Sequence, residues 1–325
     1  MKANFKVRRY NPESDKPDAQ PRWQEYELDV HPTSTILDVL IQVREEIDGT
    51  LTLRCACRAS ICGSCGMRVN GRARLVCKTQ VRSIAKEEGE QIIIEPMGNQ
   101  KVIKDLAVDL STFFDQMKRI TPWMQPDKLP EKGEFIASYE SMTHLTGVMN
   151  CIMCGVCVSD CTVMAVDDKF IGPAALAKAY RFVADPRDDK HSERLKTLND
   201  EHGGIWDCTR CSMCVEVCPK GVAPMDRIMV MRDLAIASGN KNTAGYKHTE
   251  SFSKSVRKNG RLDELRLAIE SPGVFNVRVQ LDQAPIGIKA LAKGKMPPIL
   301  AHKAEDKDKI TRTFERVEQA GHAKK

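Results

Sequence analysis

The chain has 325 residues, which at ~150 per domain suggests about two domains. Its 50 Lys and Arg against 44 Asp and Glu leave a mild excess of +6, and aromatic residues make up only 5%. So few stacking side chains argue against single-strand nucleic-acid binding, and a hydrophobic content of 42% excludes wholesale disorder. No stretch reaches the ~20 apolar residues of a membrane span. Met1 to Tyr10 lacks the apolar core of a secretory signal, which predicts a chain kept in a reducing compartment.

The first hundred residues read as a small β-rich domain. Phe5–Tyr10 and Tyr26–Val30 are strand-like, with a loop between them carrying Asn11, Pro12, Pro17 and Pro21. Thr35 is placed to cap a helix bearing Ile36, Leu37, Leu40, Ile41 and Val43. Asn70-Gly71 after Met67-Arg68-Val69 signals a hairpin, and Gln91–Glu95 a late strand closed by Pro96. Leu106, Leu110, Phe113, Phe114 and Met117 recur at helical spacing, and Pro122, Pro126 and Pro130 mark a long connection. Pro173 suits the first turn of a helix running to Phe182, and a further helix is expected over 226–237. Beyond 241, Phe252, Val256, Leu262 and Leu265 suggest helix broken at Gly260. Pro285, Gly287, Pro297 and Pro298 punctuate the chain after that, and 301–325 reads as a solvated charged helix or tail.

Thirteen cysteines cannot all pair internally, and they fall in three tight groups. Cys57, Cys62 and Cys65 form C-x4-C-x2-C with Cys77 further on, the plant-type ferredoxin spacing for a 2Fe–2S cluster. Gly63 and Gly66 let backbone N–H groups approach the sulfurs, and Arg54, Arg58, Arg72 and Arg74 offset cluster charge. A zinc knuckle is the competing reading, though zinc sites usually use two separated C-x2-C pairs. Cys151, Cys154, Cys157 and Cys161 form C-x2-C-x2-C-x3-C, and Cys208, Cys211, Cys214 and Cys218 repeat it, followed by Pro219. This is the bacterial ferredoxin run, in which the fourth cysteine of each run serves the other cluster. Cys151, Cys154, Cys157 and Cys218 are therefore expected to hold one cubane-type cluster, and Cys208, Cys211, Cys214 and Cys161 the other. Cys55 is left over, either a competing ligand or a thiol beside the first cluster. No histidine falls inside a run, and no catalytic residues stand out, so the chain reads as one that moves electrons.

A plant-type ferredoxin domain ahead of a helical two-cluster domain resembles the iron–sulfur subunit of succinate dehydrogenase and fumarate reductase. The resemblance rests on Cys57-Arg58 to Cys65, Val102–Leu106 with Asp109-Leu110, Phe170–Ala174 with Ala179–Phe182, and Cys218-Pro219-Lys220-Gly221. It implies an α+β chain: a β-grasp plant-type ferredoxin domain over 1–105, an all-helical two-cluster ferredoxin domain over 106–240 and a partly helical C-terminal extension over 241–325. It implies a partner flavoprotein interconverting succinate and fumarate at FAD, a membrane anchor and quinone, with this chain peripheral at the cytoplasmic face of the inner membrane. The alternative is a soluble fumarate reductase fed by a thiol or other non-quinone donor.

Three departures stand out. The position of Cys211 is not cysteine in the common family form, whose last cluster is 3Fe–4S, so Cys161, Cys208 and Cys214 hold either that cluster or, with Cys211, a second 4Fe–4S. Thr162 and Thr209 stand where quinone-reducing relatives commonly carry proline and histidine, and no tryptophan lies between 162 and 169. Residues 241–325 exceed the family's usual end, and His248–Phe252 with Gly260–Glu264 resembles a segment of heterodisulfide-reductase C-type subunits. That implies a heterodisulfide-reductase-like partner as an alternative to the usual anchor.

Overall fold

The computed structural model describes residues 1–15, 21–200 and 202–322; Pro17 of the first loop and the end of the charged C-terminal segment lie outside them. The chain divides into two compact units, Met1–Leu234 and Ala235–Lys325. The first opens with β1 (Lys2–Arg9) and β2 (Arg22–Asp29), joined by α1 (Ile36–Gln42), β3 (Gly66–Val69), β4 (Arg72–Leu75), α2 (Val81–Ile84) and β5 (Gln91–Glu95). The sheet order is β2-β1-β5-β3-β4, with β5 parallel to β1 and the other pairs antiparallel.

The alternation in β1 turns Ala3, Phe5 and Val7 inward, where Phe5 pairs with Ile92 and Val7 with Ile94. α1 lays Ile36, Leu37 and Leu40 into the same core, each such buried side chain contributing about 1.5–3 kcal/mol. Thr35 starts α1 as expected: its hydroxyl accepts from the Asp38 N–H at 3.2 Å, and the Asp38 carboxylate accepts from the Thr35 N–H at 2.9 Å. The chain continues from α1 as a π-turn over Val43–Ile47. The hairpin also forms, with Asn70 (φ 48°) and Gly71 (φ 76°) both left-handed in the two-residue turn between β3 and β4.

Arg9 takes the fourth inward position of β1, buried although charged. Its guanidinium donates to Asp105 (3.0 Å), Asp48 (2.6 Å), Tyr26 (2.8 Å) and Thr50 (2.8 Å). Asp105 also accepts from the N–H groups of Tyr10 and Thr52. This network ties the end of the sheet to the chain leaving it.

Here the structure departs from the sequence reading. Residues from Leu106 do not begin a helix; β6 (Val102–Lys104) and β7 (Ala107–Val108) form a short hairpin, and α3 (Ser111–Arg119) starts later. Asp105 turns at φ 45° with its carboxylate held by Arg9, and Asp109 caps the Ser111 N–H at 2.8 Å. Leu106 is buried in the turn of the hairpin, and Leu110, the residue before α3, packs partly buried against the sheet core.

The helical part follows with α4 (Tyr139–Thr143), α5 (Thr146–Met149), α6 (Val156–Ser159), α7 (Pro173–Val183), α8 (His191–Asp200), α9 (Met213–Glu216) and α10 (Pro224–Ala237). α7 begins with Pro173 at its first turn and is central: α3, α5, α6 and α8 all pack on it, around its buried alanines, Leu176 and Phe182. The proline-marked connection is anchored by Arg194, which donates to the carbonyls of Ile120, Thr121 and Trp123 and to Asp188.

The second unit holds α11 (Ala244–Asn259), α12 (Glu264–Glu270), α13 (Val277–Ala292) and α14 (Lys307–His322). Gly260 ends α11 at φ 72°, as its position suggested. Pro285 and Gly287 do not break the chain: α13 runs through both, forgoing the hydrogen bond a proline nitrogen cannot donate. α11 packs on α12 and α14, and Arg257 pairs with Glu318 at 2.6 Å. Among the described residues no helix is long and apolar enough to cross a membrane.

Candidate cluster-binding sites

The loop from Cys57 to Cys65 enters β3, and Cys77 follows β4. The β3–β4 hairpin therefore brings Cys65 and Cys77 side by side, with the Val76 N–H donating to the Cys65 carbonyl. Arg58, Ser60 and Gly63 are all left-handed (φ 53°, 56° and 75°), which curls the loop and turns its N–H groups inward. The Cys57 sulfur accepts from the N–H groups of Ala59, Ile61 and Cys62 at 3.2–3.3 Å, and the Cys77 sulfur from Ser60 at 3.3 Å. Such donors stabilise sulfur that carries negative charge, so this donor set fits a 2Fe–2S cluster. The Ser64 hydroxyl and nearby N–H groups pull Cys62 down to about 6, while burial, with crowding by Cys77 and Cys62, pushes Cys65 up to about 12.

The two later runs interleave. Cys151, Cys154, Cys157 and Cys218 line one cavity, closed by Ala174 and Ala177 of α7 and by Pro219. Burial first, and then neighbouring Cys151 and Cys218, raises Cys154 to about 11, and the same causes raise Cys157 well above an ordinary thiol. Cys161 lies instead within electrostatic reach of Cys208 and Cys211, and Cys214 within reach of Cys208, Cys161 and Cys211. Burial is again the larger cause, taking Cys214 to about 12. These thiols hold their protons at neutral pH until a cation draws them off, which suits metal ligands rather than free nucleophiles.

Each run repeats one backbone pattern. Met153 and Gly155 are left-handed on either side of Cys154 (φ 54° and 75°), and Arg210 and Ser212 are left-handed on either side of Cys211 (φ 59° and 63°). The one-turn helices that follow, α6 and α9, carry Cys157 and Cys214 and pack on each other. Cys211 is solvent-exposed; burial would raise its pKa, but hydrogen bonds led by the Thr162 hydroxyl, at 3.5 Å, bring it below an ordinary thiol.

The three sites adjoin one another in turn. A Cβ on Gly63 would sit 2.6 Å from the Cys154 Cβ, so the first loop touches the second site. Cys157 in turn feels Cys214 of the third. The sheet is bound to the first run by Asp160, which accepts from the Ala73 N–H at 2.9 Å and pairs with Arg68, and by Asn99, which donates to the carbonyls of Val158 and Cys161.

Of the expected arginines, Arg72 pairs with Glu216 of α9 at 2.8 Å, and Arg72 and Arg74 line a cavity with Cys218. Arg54 acts on Asp109, and Arg58 lies in the curled loop. Cys55 packs partly buried against the sheet core. One contributor gives no sequence signal. Arg232 of α10 is buried and donates to the carbonyls of Ile205, Trp206 and Cys208 at 2.8–3.0 Å, stacking 5.0 Å from the Trp206 ring. Burial, and then Arg210, lower it to about 10, which leaves it charged at neutral pH beside the third site.

A β-sheet domain with a sulfur-cradling loop, followed by interleaved cysteine runs, defines an iron–sulfur electron-transfer protein. Residues 4–115 match the family described as 2Fe-2S iron-sulfur cluster binding domain, and residues 147–222 the 4Fe-4S dicluster domain. The chain is 35% identical over 241 residues to succinate dehydrogenase [ubiquinone] iron-sulfur subunit 3, mitochondrial, of Arabidopsis thaliana, covering 73% of this chain and 76% of that one. A chain of the Mycobacterium smegmatis Sdh1 complex in the apo form superposes with a TM-score of 0.67 at 25% identity, over 74% of this chain and 98% of that one. The chain belongs to the succinate dehydrogenase iron–sulfur subunit family. It is an electron-transfer component of an oxidoreductase complex, with 2Fe–2S and 4Fe–4S domains.

Proposed function

We propose that this chain relays electrons between a partner flavoprotein, which interconverts succinate and fumarate at FAD, and a membrane partner that exchanges them with quinone. Cys57, Cys62, Cys65 and Cys77 hold the 2Fe–2S cluster; Cys151, Cys154, Cys157 and Cys218 hold a 4Fe–4S cluster; Cys161, Cys208, Cys211 and Cys214 hold a second. When bound, each cluster takes up and returns electrons at a potential set by hydrogen bonding and burial. The chain's own residues fix the stations: Gly63 abuts Cys154, and α6 abuts α9. The chain sits peripherally at the cytoplasmic face of the inner membrane, with residues 1–105, 106–240 and 241–325 as its three parts.

The observation that carries the reading is the shared backbone of the two runs. Cys211 is flanked by two left-handed residues, Arg210 and Ser212, as Cys154 is by Met153 and Gly155, which supports a ligand role and a fourth thiolate in the last cluster. A fourth thiolate adds negative charge and lowers that cluster's potential. EPR and Mössbauer spectra of the iron-57-labelled complex test this. Two 4Fe–4S centres, about ten irons per chain and a changed last centre in Cys211→Ser are expected. A three-iron EPR signal in intact oxidised protein, unaltered by Cys211→Ser, would make Cys211 a bystander and the last cluster 3Fe–4S.

A second reading is a soluble fumarate reductase using a thiol or other non-quinone donor; a heterodisulfide-reductase-like subunit is instead, within the first reading, the alternative to the usual anchor. Thr162 favours the second reading, because its hydroxyl is engaged with the Cys211 sulfur where relatives present quinone-contacting residues. Succinate:quinone reductase activity in the purified, membrane-attached complex supports the first reading; fumarate reduction by thiols alone, without membrane attachment, supports the second.

A further inference from the structure

The charge of the chain is unevenly divided. Residues 235–325 carry 18 Lys and Arg against 10 Asp and Glu, a net +8, so the remaining 234 residues, with 32 against 34, carry −2. The same unit exposes much apolar surface. α13 sets Val277, Leu281, Ile288 and Leu291 along one face at i, i+4, i+11 and i+14, and all four are 66–68% exposed. Phe275, just ahead of the helix, is 96% exposed, and Ile299 and Leu300 beyond it are 86% and 84% exposed. Ile286 lies off the stripe. Basic residues flank it: Arg278, Lys289, Lys293 and Lys295 against the single acid Asp282. Elsewhere in the unit, Lys254, Arg257, Lys258, Arg266 and Lys307 line an open cavity with Asp308 and Thr311.

We propose that the C-terminal unit docks on an anionic lipid surface, seating the apolar face of α13 at the headgroup boundary with its basic flank against the headgroups. A second copy of the chain is the poorer occupant. The stripe covers about two heptads, where coiled coils sustain three or four, and its flanks carry almost one sign of charge, so two copies would repel. A lipid surface accepts both halves of the pattern: long Lys and Arg side chains keep their charges among the headgroups while the stripe is buried. The contact would be made by this chain itself, whatever its membrane partner and whichever cluster the last site holds.

The test is co-sedimentation of the cluster-loaded full chain with vesicles of phosphatidylcholine, and of phosphatidylcholine with about one third phosphatidylglycerol. Binding to the anionic vesicles at low salt, weakened by added salt, is expected. Leu281→Asp with Ile288→Asp is expected to weaken it at least about tenfold, and Lys289→Glu with Lys293→Glu to remove its preference for anionic lipid. All four positions are exposed, and an unchanged visible spectrum and helical circular dichroism show that each variant is folded. No binding to anionic vesicles at low salt overturns the proposal, as does equal binding by the Leu281/Ile288 variant. A concentration-dependent dimer lost in that variant, without vesicle binding, assigns the face to a second copy and also overturns it. None of these outcomes bears on the EPR and Mössbauer spectra, so this proposal and the electron-relay reading fail separately.

Discussion

Gly63 sets how closely the first cluster loop approaches the second. Its φ of 75° and the 2.6 Å separation from the Cys154 Cβ that any side chain would meet are independent constraints. The left-handed backbone alone costs an alanine about 1–2 kcal/mol. Gly63→Ala is expected to lose 2Fe–2S occupancy, seen as reduced iron and sulfide content and a diminished EPR signal of that centre. Arg232 acts differently, through fixed charge. Arg232→Gln removes a buried cation beside Cys208 and its charged hydrogen bonds to the carbonyls of Ile205 and Cys208, each worth about 1.5–3 kcal/mol. The last cluster's reduction potential is expected to fall and the melting temperature to drop; a potentiometric EPR titration checks the first and a thermal melt the second. Neither role was legible in the sequence. The cysteine spacing announced a loop around a cluster, but the neighbour Gly63 meets lies in a separate cysteine run far along the chain, and Arg232 looks like any helical arginine.

Elements built from local chemistry were the most legible. Thr35 with Asp38, Asn70-Gly71, Pro173 and Gly260 each carry their instruction within a turn of chain, and each does in the structure what its type and place demand. Thr35→Ala removes the reciprocal capping bonds of α1 and is expected to cost about 1 kcal/mol, measured as a lower midpoint in chemical denaturation with the cluster spectra unchanged. Less legible were elements decided by tertiary partners. Leu106 and Leu110 kept helical spacing by coincidence, because the buried Arg9–Asp105 pair turns the chain into a hairpin first. Pro285 suggested a break that α13 does not make. The interleaving of the two runs was expected from their spacing, and in the structure Cys218 joins Cys151, Cys154 and Cys157 around one cavity.

At the scale of the whole molecule, cluster uptake and protonation are coupled. Burial raises the thiols of Cys154, Cys157, Cys161 and Cys214. A raised thiol is protonated at neutral pH, and ligation must remove that proton, so uptake is favoured as pH rises toward the raised values and opposed as it falls. Reconstitution of the cluster-free chain with ferrous iron and sulfide is therefore expected to release protons and to grow more complete from pH 7 to about 9; iron content after desalting reports it. Uptake that does not change with pH would mean the thiols are already ionised. The division of charge between the units, by contrast, was present in the sequence and became meaningful only once the structure placed the boundary near residue 234.

The paired loops also imply an order of ageing. Around Cys154 one of the two left-handed positions is a glycine, at ease there; around Cys211 both, Arg210 and Ser212, carry a Cβ, and Cys211 itself faces solvent. With Cys211 a ligand as proposed, once oxidant or a chelator loosens iron there, the backbone gains by relaxing, and the loop has less reason to close again. On the proposed ligation, the station served by Cys211 is the first of the two to wear out, and its loss would break the relay at that point whichever way electrons run.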